Sequence, residues 1–422
     1  MNFTRLSLKL FVFLPLLTIL AGCSSEQDNE ITVWTDRAEI VSYAEVFNAN
    51  SRNTKVIVIY KDRLAQSIPP ERDELPPDIA VGSFLKNSNM DKYFAPADSI
   101  FNSSQINPAS LYPSLLAYGS KNNIHYLLPV SFNLPMIIYP AAKKSLLDDN
   151  ILFTADKIRD TAASFNARNS HDIYTNMGFG PSWNTDFIYA LAKMNDSQFQ
   201  EKGTSFTWNE KNLDSTVSYI REWTSGKNTS TKAEKDFEFK YLYTPDYRQI
   251  SFGRSLFAYT ETSSFFTIPS FYFEDIGYKW LSDGKSIIAE DSIVMAGILR
   301  GCTNIEGAQE FISWLISEET QKTLLERTQK MHLDKQTFGI ASGFSSIASV
   351  NEHVFPIYYN NLLGHTPEVK SIRPPYSTFP PRWQSLRERV IIPYLRDATN
   401  TDLTEKLKSM SERISDWEKQ FN

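Results

Sequence analysis

The chain has 422 residues, of which 41% are hydrophobic and 22% are charged, and its formal net charge is −6. This length allows two domains with substantial cores, and the composition is typical of a soluble globular protein. The mildly acidic balance and the lack of a long run of Lys and Arg argue against a nucleic-acid-binding surface.

The first 22 residues have the pattern of a secretory signal. Two basic residues precede the apolar run "LFVFLPLLTIL", which is too short to span a membrane. The ending Leu-Ala-Gly-Cys resembles the bacterial lipoprotein signal, so Cys23 is predicted to be lipidated and residues 23–30 to form a polar tether. Cys302 would then have no disulfide partner and is expected to be a buried, inert thiol. An ordinary signal peptide with a chance cysteine is the alternative.

The next part of the chain predicts a parallel β-sheet with a crossover helix. Strand-like runs cover Ile31–Thr35, Thr54–Tyr60 and Pro76–Gly82, and apolar residues at helical spacing separate the first two runs. Strands alternating with helical patterns indicate βαβ units, because parallel strands need a long crossover.

Helical patterns dominate after residue 140, interrupted by strand-like runs at Leu256–Thr260 and Asp291–Leu299. The last helix is predicted to begin at Asp402, which with Glu405 has the spacing of a capping box. The fold class is therefore predicted to be α/β.

Two further strand-like runs, Ile124–Val130 and Pro135–Tyr139, are separated by Ser-Phe-Asn-Leu. A tight hairpin would favour Asn-Gly or Asp-Gly here, so a plain hairpin is not indicated. A β-bulge within one sheet, or a crossing between two sheets, remains possible at this point.

The motifs of several enzyme classes are missing from the sequence. The five histidines are scattered without a His-x-x-x-His pair, and no phosphate-binding Gly-x-x-x-x-Gly-Lys-Ser/Thr motif occurs. A glycoside hydrolase stays open, because its paired carboxylates are recognised by distance and not by sequence spacing.

In chain order, the segments "ITVWT", "PPDIAVG", "NNIHYLLPVSFNLPMIIYP", "FGRSLFAYTETSS", "IEGAQEFISWLISEETQKTLL" and "PPRWQSL" resemble bacterial extracellular solute-binding proteins. These belong to the maltose-binding-protein-like family that serves ABC importers. The resemblance implies a two-lobe periplasmic-binding-protein fold with hinge crossovers and a ligand cleft between the lobes. Lobe one would comprise residues 31–131 and 287–336, and lobe two residues 134–284 and 340–422. The crossings would lie at Ser131–Asn133, near Gly284–Asp291 and near Thr337–Ser342.

Ligands of open α/β sheets bind beyond the carboxyl ends of strands, which selects candidate binding residues. At strand ends, at the hinge and at the start of one helix, these are Asp36, Arg37, Ser83, Phe84, Asn133, Trp183, Asn184, Glu261 and Thr262. The resemblance adds Trp383, because the family often places an aromatic residue on the ligand just before a C-terminal helix.

Tryptophans with Asp, Glu, Asn and Arg suit a sugar, which has apolar ring faces and a rim of hydroxyl groups. The resemblance therefore implies a lipid-anchored, monomeric substrate-binding protein that captures a small polar solute, with a carbohydrate favoured, and delivers it to an ABC permease. We expect no catalysis, cofactor, metal or nucleic acid. The alternatives are a polyamine, phosphorylated polyol or metal as solute, or a lipid-anchored glycoside hydrolase.

Overall fold

The computed structural model describes residues 29–102, 106–202, 205–375 and 379–421. The predicted signal peptide, Cys23 and most of the tether lie outside these residues. Cys302 lies within them, where it is half-buried, and burial raises the pKa of its thiol to about 12.

Two sheets and the strands that link them organise the described chain. The strands are β1 Glu30–Thr35, β2 Lys55–Tyr60, β3 Ile79–Ser83, β4 Leu128–Phe132, β5 Pro135–Pro140, β6 Leu152–Phe153, β7 Ala258–Glu261, β8 Ile276–Leu281, β9 Ile287–Ile288, β10 Val294–Ile298, β11 Phe344–Ser345 and β12 Ile372–Arg373. Short two-stranded ribbons join Ser120–Lys121 to Ile124–His125, Ala167–Arg168 to Tyr174–Asn176, and Gln200–Lys202 to Ser205–Thr207.

Helices cover both sheets and fill the connections between strands. They are α1 Glu39–Asn50, α2 Met90–Tyr93, α3 Asp98–Asn102, α4 Pro113–Tyr118, α5 Ala155–Phe165, α6 Thr185–Met194, α7 Glu210–Asn228, α8 Thr231–Lys240, α9 Asp246–Ser251, α10 Thr262–Phe265, α11 Ile305–Leu315, α12 Glu318–Lys330, α13 Phe355–Tyr358, α14 Trp383–Leu386, α15 Ile392–Thr399 and α16 Met410–Phe421.

The first sheet has six strands in the order β11-β4-β10-β3-β1-β2. Strand β1 is parallel to both β2 and β3, and α1 connects β1 to β2, as the βαβ pattern predicted. Every residue of β3 is buried, because both faces of this central strand are covered.

The second sheet has four strands in the order β7-β5-β8-β6. Alternate residues of β5 enter different cores: Met136 and Ile138 pack with the core of the first sheet, whereas Ile137 and Tyr139 pack with a second core that includes α6 and α14. Burial of both faces explains why this strand is an unbroken apolar run in the sequence.

The chain passes from the first sheet to the second between β4 and β5, where only Asn133 and Leu134 intervene. The polar interruption is therefore a crossing between sheets, and the pairing of β4 with β10 also has an irregularity just before it, between Pro129 and Ser131. The strand ahead of it is shorter than predicted, because Ile124 and His125 pair in a separate ribbon. A second passage runs from β8 to β10 through β9, which includes the predicted crossing near Gly284–Asp291.

The predicted third crossing near Thr337–Ser342 is placed too early. Strand β11 still pairs with β4 in the first sheet, and the carbonyl of Ser346 accepts a hydrogen bond from the backbone N–H of Tyr112 at 3.1 Å. The chain therefore remains with the first sheet beyond residue 340, the predicted start of the second part of lobe two.

The C-terminal helix begins at Met410, eight residues after the predicted start. The carboxylate of Asp402 accepts from the backbone N–H of Lys232, so it caps the start of α8 and not its own segment. The working capping box is Ser409 with Glu412: the Ser409 hydroxyl accepts from the Glu412 N–H at 3.2 Å, and the Glu412 carboxylate accepts from the Ser409 N–H at 2.7 Å.

Candidate functional site

A polar cluster forms where β1 and β3 end side by side. The backbone N–H of Ser83 donates to both carboxylate oxygens of Asp36, at 3.1 and 3.3 Å. The guanidinium of Arg37 donates to the Ser83 hydroxyl, and its Nε lies 3.4 Å from Asp36 Oδ1. Three predicted binding residues are thus in mutual contact, because adjacent parallel strands bring their carboxyl ends together.

The Asp36 carboxyl occupies a tight position that is largely buried. Burial raises the pKa of Asp36 above its ordinary value, although the charge of Arg37 acts in the opposite direction. Gly82 makes the position possible: a Cβ atom there would lie 2.5 Å from Asp36 Oδ1. The Asp36 carboxyl therefore has a fixed orientation at the end of β1.

Asn133 joins three segments at the crossing. Its amide nitrogen donates to the carbonyl of Ser342 at 2.8 Å, and its amide oxygen accepts from the hydroxyl of Thr262 at 2.6 Å. Its backbone carbonyl accepts from the N–H of Glu290 at 2.9 Å. Asn133 therefore links the end of β7, the passage from β8 to β10 and the segment before β11.

Two glutamates lie beside Asn133: Glu39 shares Ser342 with it, and Glu261 precedes its partner Thr262. The polar surface is the set of Asp36, Arg37, Glu39, Ser83, Asn133, Glu261 and Thr262. The Glu39 carboxylate accepts from the hydroxyl of Thr337 at 2.5 Å and also from the hydroxyl of Ser342. Glu261 ends β7 and accepts from the hydroxyl of Ser263 at 2.9 Å. Burial, and then the nearby Glu290 carboxylate, raise the pKa of Glu261.

Beside this surface lies a buried ionic network of Lys193, Glu290, Asp291 and Arg387. The Lys193 ammonium is 3.3 Å from Glu290 Oε2 and 3.1 Å from Asp291 Oδ1, and Arg387 Nε is 4.0 Å from Asp291 Oδ2. The side chains of Lys193 and Asp291 are each 5% exposed. Arg387 also contacts the carboxylate of Asp186, so every charge of the network has an opposite charge beside it, as buried charges require.

Hydrogen bonds from aromatic residues complete the network. Asp291 Oδ2 accepts from the hydroxyl of Tyr189 at 2.5 Å and from the indole of Trp383 at 3.0 Å. The hydroxyl of Tyr259 donates to Glu290 Oε1 at 3.0 Å. These contacts fasten the passage between β8 and β10 onto helices α6 and α14.

The pKa values follow from this pairing. Burial acts against the charge of Lys193, but the carboxylates of Asp291 and Glu290 outweigh it and raise the pKa of Lys193. Burial also acts against the charge of Asp291, but Lys193 and Arg387 hold the pKa of Asp291 below its ordinary value. Both groups are charged at neutral pH.

The two predicted cleft tryptophans occupy interior positions. Trp383 is 0% exposed and stacks on Phe379 with ring centroids 4.3 Å apart, so the expectation of an open ligand-stacking face is wrong for this conformation. Trp183 is half-buried, stacks on Phe237 and donates its indole N–H to the carbonyl of Glu234 at 2.9 Å. An aromatic ring beside a helix start has the same sequence pattern whether it faces a core or a cleft.

Asn184 and Phe84, the other predicted binding residues, make contacts that stabilise the fold. Asn184 caps α6 by accepting from the N–H of Asp186 at 2.9 Å. Phe84, with φ at 60°, follows the first-sheet strand β3 yet packs against the core of the second sheet. The cavity beside Trp183 and Asn184 is about 50 Å³, well below the roughly 300–1,000 Å³ of small-molecule pockets.

Of the residues selected from the sequence, the structure brings Asp36, Arg37 and Ser83 into one contact group. It brings Asn133 and Thr262 into a second group, beside Glu261. Sequence reasoning missed Glu39, Glu290, Asp291, Lys193 and Arg387, which complete the polar surface and its support. The sequence signal that could have identified Glu290 and Asp291 is that two adjacent carboxylates stand within a predicted crossing, between the apolar residues Ala289 and Ile293. Nothing in the sequence pairs them with Lys193, which lies about a hundred positions away.

The part of the chain that the structure describes also bears on metal binding and membrane spanning. Within 29–102, 106–202, 205–375 and 379–421, no group of three or more His, Cys, Asp or Glu side chains could hold a metal ion. In the same ranges, no helix has the length and apolar character needed to cross a membrane.

Known structures share this fold, although no protein-family profile and no curated protein sequence matches the chain. CpMnBP1 with mannotriose bound is 11% identical, with a TM-score of 0.59 over 93% of this chain and 100% of that one. The ABC substrate-binding protein of Listeria monocytogenes in complex with cycloalternan is 13% identical, with a TM-score of 0.58 over 93% and 98% of the two chains.

The GacH receptor of Streptomyces glaucescens, solved unliganded and with acarbose, is 11% identical, with a TM-score of 0.54 over 93% of this chain and 97% of the receptor. All three similarities extend over nearly the whole of both chains. The chain therefore has the two-lobe α/β fold of ABC substrate-binding proteins.

Proposed function

We propose that this protein captures a small carbohydrate between its two lobes and delivers it to an ABC permease. The observation that supports this most is the polar surface around Asn133, where strand ends from both sheets meet. Asp36, Arg37 and Glu261 are its partly exposed groups. The buried hydroxyls of Ser83 and Thr262 hold Arg37 and Asn133 in place. Asp36, Arg37 and Ser83 come from the first sheet, and Glu261 and Thr262 from the second. Carboxylates and a guanidinium are suitable partners for a sugar.

The hinge geometry supports binding by lobe closure. Only two residues separate β4 from β5, and the hydrogen bonds of Asn133 hold the crossing segments at one point. A rotation about this point moves the two halves of the polar surface relative to each other without breaking either sheet. The known structures with this fold include proteins solved with mannotriose, cycloalternan and acarbose bound, which supports a carbohydrate as the solute.

The remaining assignments are part of the same proposal. The protein acts outside the cytoplasmic membrane, held by lipid on Cys23, as a monomer and without catalysis. Residues 31–131 and 287–347 belong to lobe one, and residues 134–284 and the C-terminal helices α14 to α16 belong to lobe two. Trp183 and Trp383 support the binding surface from the interior.

Calorimetry and thermal melting with mannotriose, cycloalternan, acarbose and maltose test the proposal. A ligand at 100 times its Kd stabilises the folded state by about 2.7 kcal/mol, which gives a clear rise in melting temperature. Asp36→Ala removes the carboxylate from the polar surface and is expected to abolish binding. Asp236→Ala is the matched control, because Asp236 lies on the exposed surface of α8 in an exposed ion pair with Lys232.

Three outcomes contradict the proposal in different ways. Binding that Asp36→Ala leaves intact places the ligand elsewhere. Binding of spermidine or Zn²⁺ but of none of the sugars assigns a different solute class. Release of new reducing ends from mannotriose identifies a glycoside hydrolase, which uses two carboxylates roughly 5–9.5 Å apart.

A further inference from the structure

A cavity of about 380 Å³ lies between the end of α12 and the connection from β7 to β8. None of the predicted binding residues lines it. Its volume falls within the roughly 300–1,000 Å³ range of small-molecule pockets, in contrast to the cavity of about 50 Å³ beside Trp183. The space is sufficient for one or two sugar rings.

The walls of this cavity come from both sheets. Helix α12, which contributes Gln329, is fastened to α1 of the first sheet: Arg327 donates to the hydroxyl of Ser42 at 3.2 Å and to the carboxylate of Glu45 at 2.9 Å. The facing segment, Tyr358–Asn361, is held from both sides: the Tyr278 hydroxyl of β8 donates to the carbonyl of Asn361 at 2.8 Å, and Tyr358 is hydrogen-bonded to Glu326 of α12.

The aromatic part of the lining is held in place before any ligand arrives. Phe266 stacks on Phe338 with ring centroids 4.5 Å apart and an interplanar angle of 15°. The hydroxyl of Tyr359 accepts from the N–H of Gly339 at 2.9 Å. Pre-organised rings reduce the entropy lost on binding.

The polar part of the lining has planar amides and three charged residues, Glu274, Asp334 and Lys335, so one carboxylate is left in excess and can accept from hydroxyl groups. Gln329, Asn360 and Asn361 each supply an amide, which can donate and accept at once. Aromatic rings with amides suit a neutral polyhydroxylated molecule, whose ring faces are apolar and whose rim both donates and accepts.

We propose that this cavity is a second binding site, which takes a neutral sugar of one or two rings and is separate from the polar surface around Asn133. The ligand class rests on the proposed function, whereas the location rests on the cavity alone. Because its walls belong to both sheets, occupancy favours one relative position of the lobes. Binding here and binding at the polar surface are therefore coupled, and the coupling acts equally in both directions.

Calorimetric titration with mannobiose tests the second site. The wild-type protein is expected to show two binding events. Gln329→Ala with Asn360→Ala removes two rim amides and should weaken one event at least tenfold, whereas Asp36→Ala should remove the other. Lys330→Ala is the matched control, because Lys330 is exposed beside Gln329 but does not line the cavity. Asn360→Ala alone replaces the double variant if that variant melts early, because Asn360 is exposed.

The outcomes separate this inference from the proposed function. A single event that Asp36→Ala abolishes and the rim variant leaves unchanged overturns the second site and keeps the proposed function. A single event that only the rim variant weakens supports the cavity and overturns the polar surface as the binding site. No mannobiose binding to the wild-type protein overturns the second site, and the other sugars then decide the proposed function.

Discussion

Asp291→Ala is expected to be among the most destabilising single substitutions of a charged residue in this fold. Asp291 accepts hydrogen bonds from Tyr189, Lys193 and Trp383 and lies 4.0 Å from the guanidinium of Arg387. The substitution leaves Lys193 with Glu290 as its one carboxylate partner, while Arg387 keeps its ion pair with Asp186. It also leaves the hydroxyl of Tyr189 and the indole of Trp383 without their acceptor.

The expected magnitude follows from burial. Removing one partner of a buried ion pair costs about 3–5 kcal/mol, because the remaining charge is left without compensation away from water. An exposed pair is worth roughly 0–1 kcal/mol. Asp291 is 5% exposed, whereas Asp236 in its pair with Lys232 is 62% exposed. We therefore expect a loss of about 3–5 kcal/mol for Asp291→Ala and less than about 1 kcal/mol for Asp236→Ala.

Urea unfolding at pH 7, followed by tryptophan fluorescence, measures both free energies. Lys193→Met combined with Asp291→Ala is the informative double variant, because it removes both members of the closest buried pair and leaves Arg387 with Asp186 and Glu290 with the hydroxyl of Tyr259. The double variant should lose less than the sum of the two single variants, by about 0.5–3 kcal/mol. Equal losses for Asp291→Ala and Asp236→Ala, or strict additivity in the double variant, would refute the reasoning.

Three further predictions concern the hinge, a tryptophan and pH. Asn133→Ala leaves the Thr262 hydroxyl and the Ser342 carbonyl without their partner, so the free energy of unfolding should fall by about 1–3 kcal/mol in urea titrations, and no change would show that these bonds do not hold the crossing. Trp383→Ala should cost about 3–5 kcal/mol by calorimetry, and more than Trp417→Ala, because Trp383 is fully buried and Trp417 only partly; the reverse order would place Trp383 on an open surface. Burial, and then the Glu290 carboxylate, raise the pKa of Glu261 in the folded protein, so the stability that Glu261 contributes falls as pH rises from its unfolded-state pKa through its folded-state pKa. Glu261→Gln should therefore gain stability relative to wild type between pH 4 and pH 7. A difference in stability that stays constant over this range would contradict the raised pKa.

Several elements of the fold could be predicted because their signals are local. The first βαβ unit follows from β-rich runs separated by a helical pattern, and the structure has β1 parallel to β2 with α1 between them. The break between α11 and α12 follows from Ser317, whose hydroxyl accepts from the N–H of Thr320 at 3.2 Å. Such signals involve residues a few positions apart, so they can be recognised in the sequence without knowledge of the fold.

Other elements could not be predicted because a distant partner decides them. Asp402 has the spacing to cap its own helix, but the start of α8 uses its carboxylate. Strand β11 pairs with β4 across more than two hundred residues, which keeps the chain in the first sheet beyond the predicted crossing. Competition between a local and a distant partner is resolved only by packing.

The candidate site also has features that local sequence predicts and features that only distant contacts decide. The sequence by itself determined which residues stand at strand ends, and the parallel arrangement of β1 and β3 made contact between Asp36 and Ser83 foreseeable. Only the tertiary structure decided that Trp383 is enclosed, that Lys193 neutralises Glu290 and Asp291, and that Asn133 joins three segments. The physical reason is that strand ends follow from local periodicity, whereas burial and charge pairing depend on which surfaces the folded chain brings together.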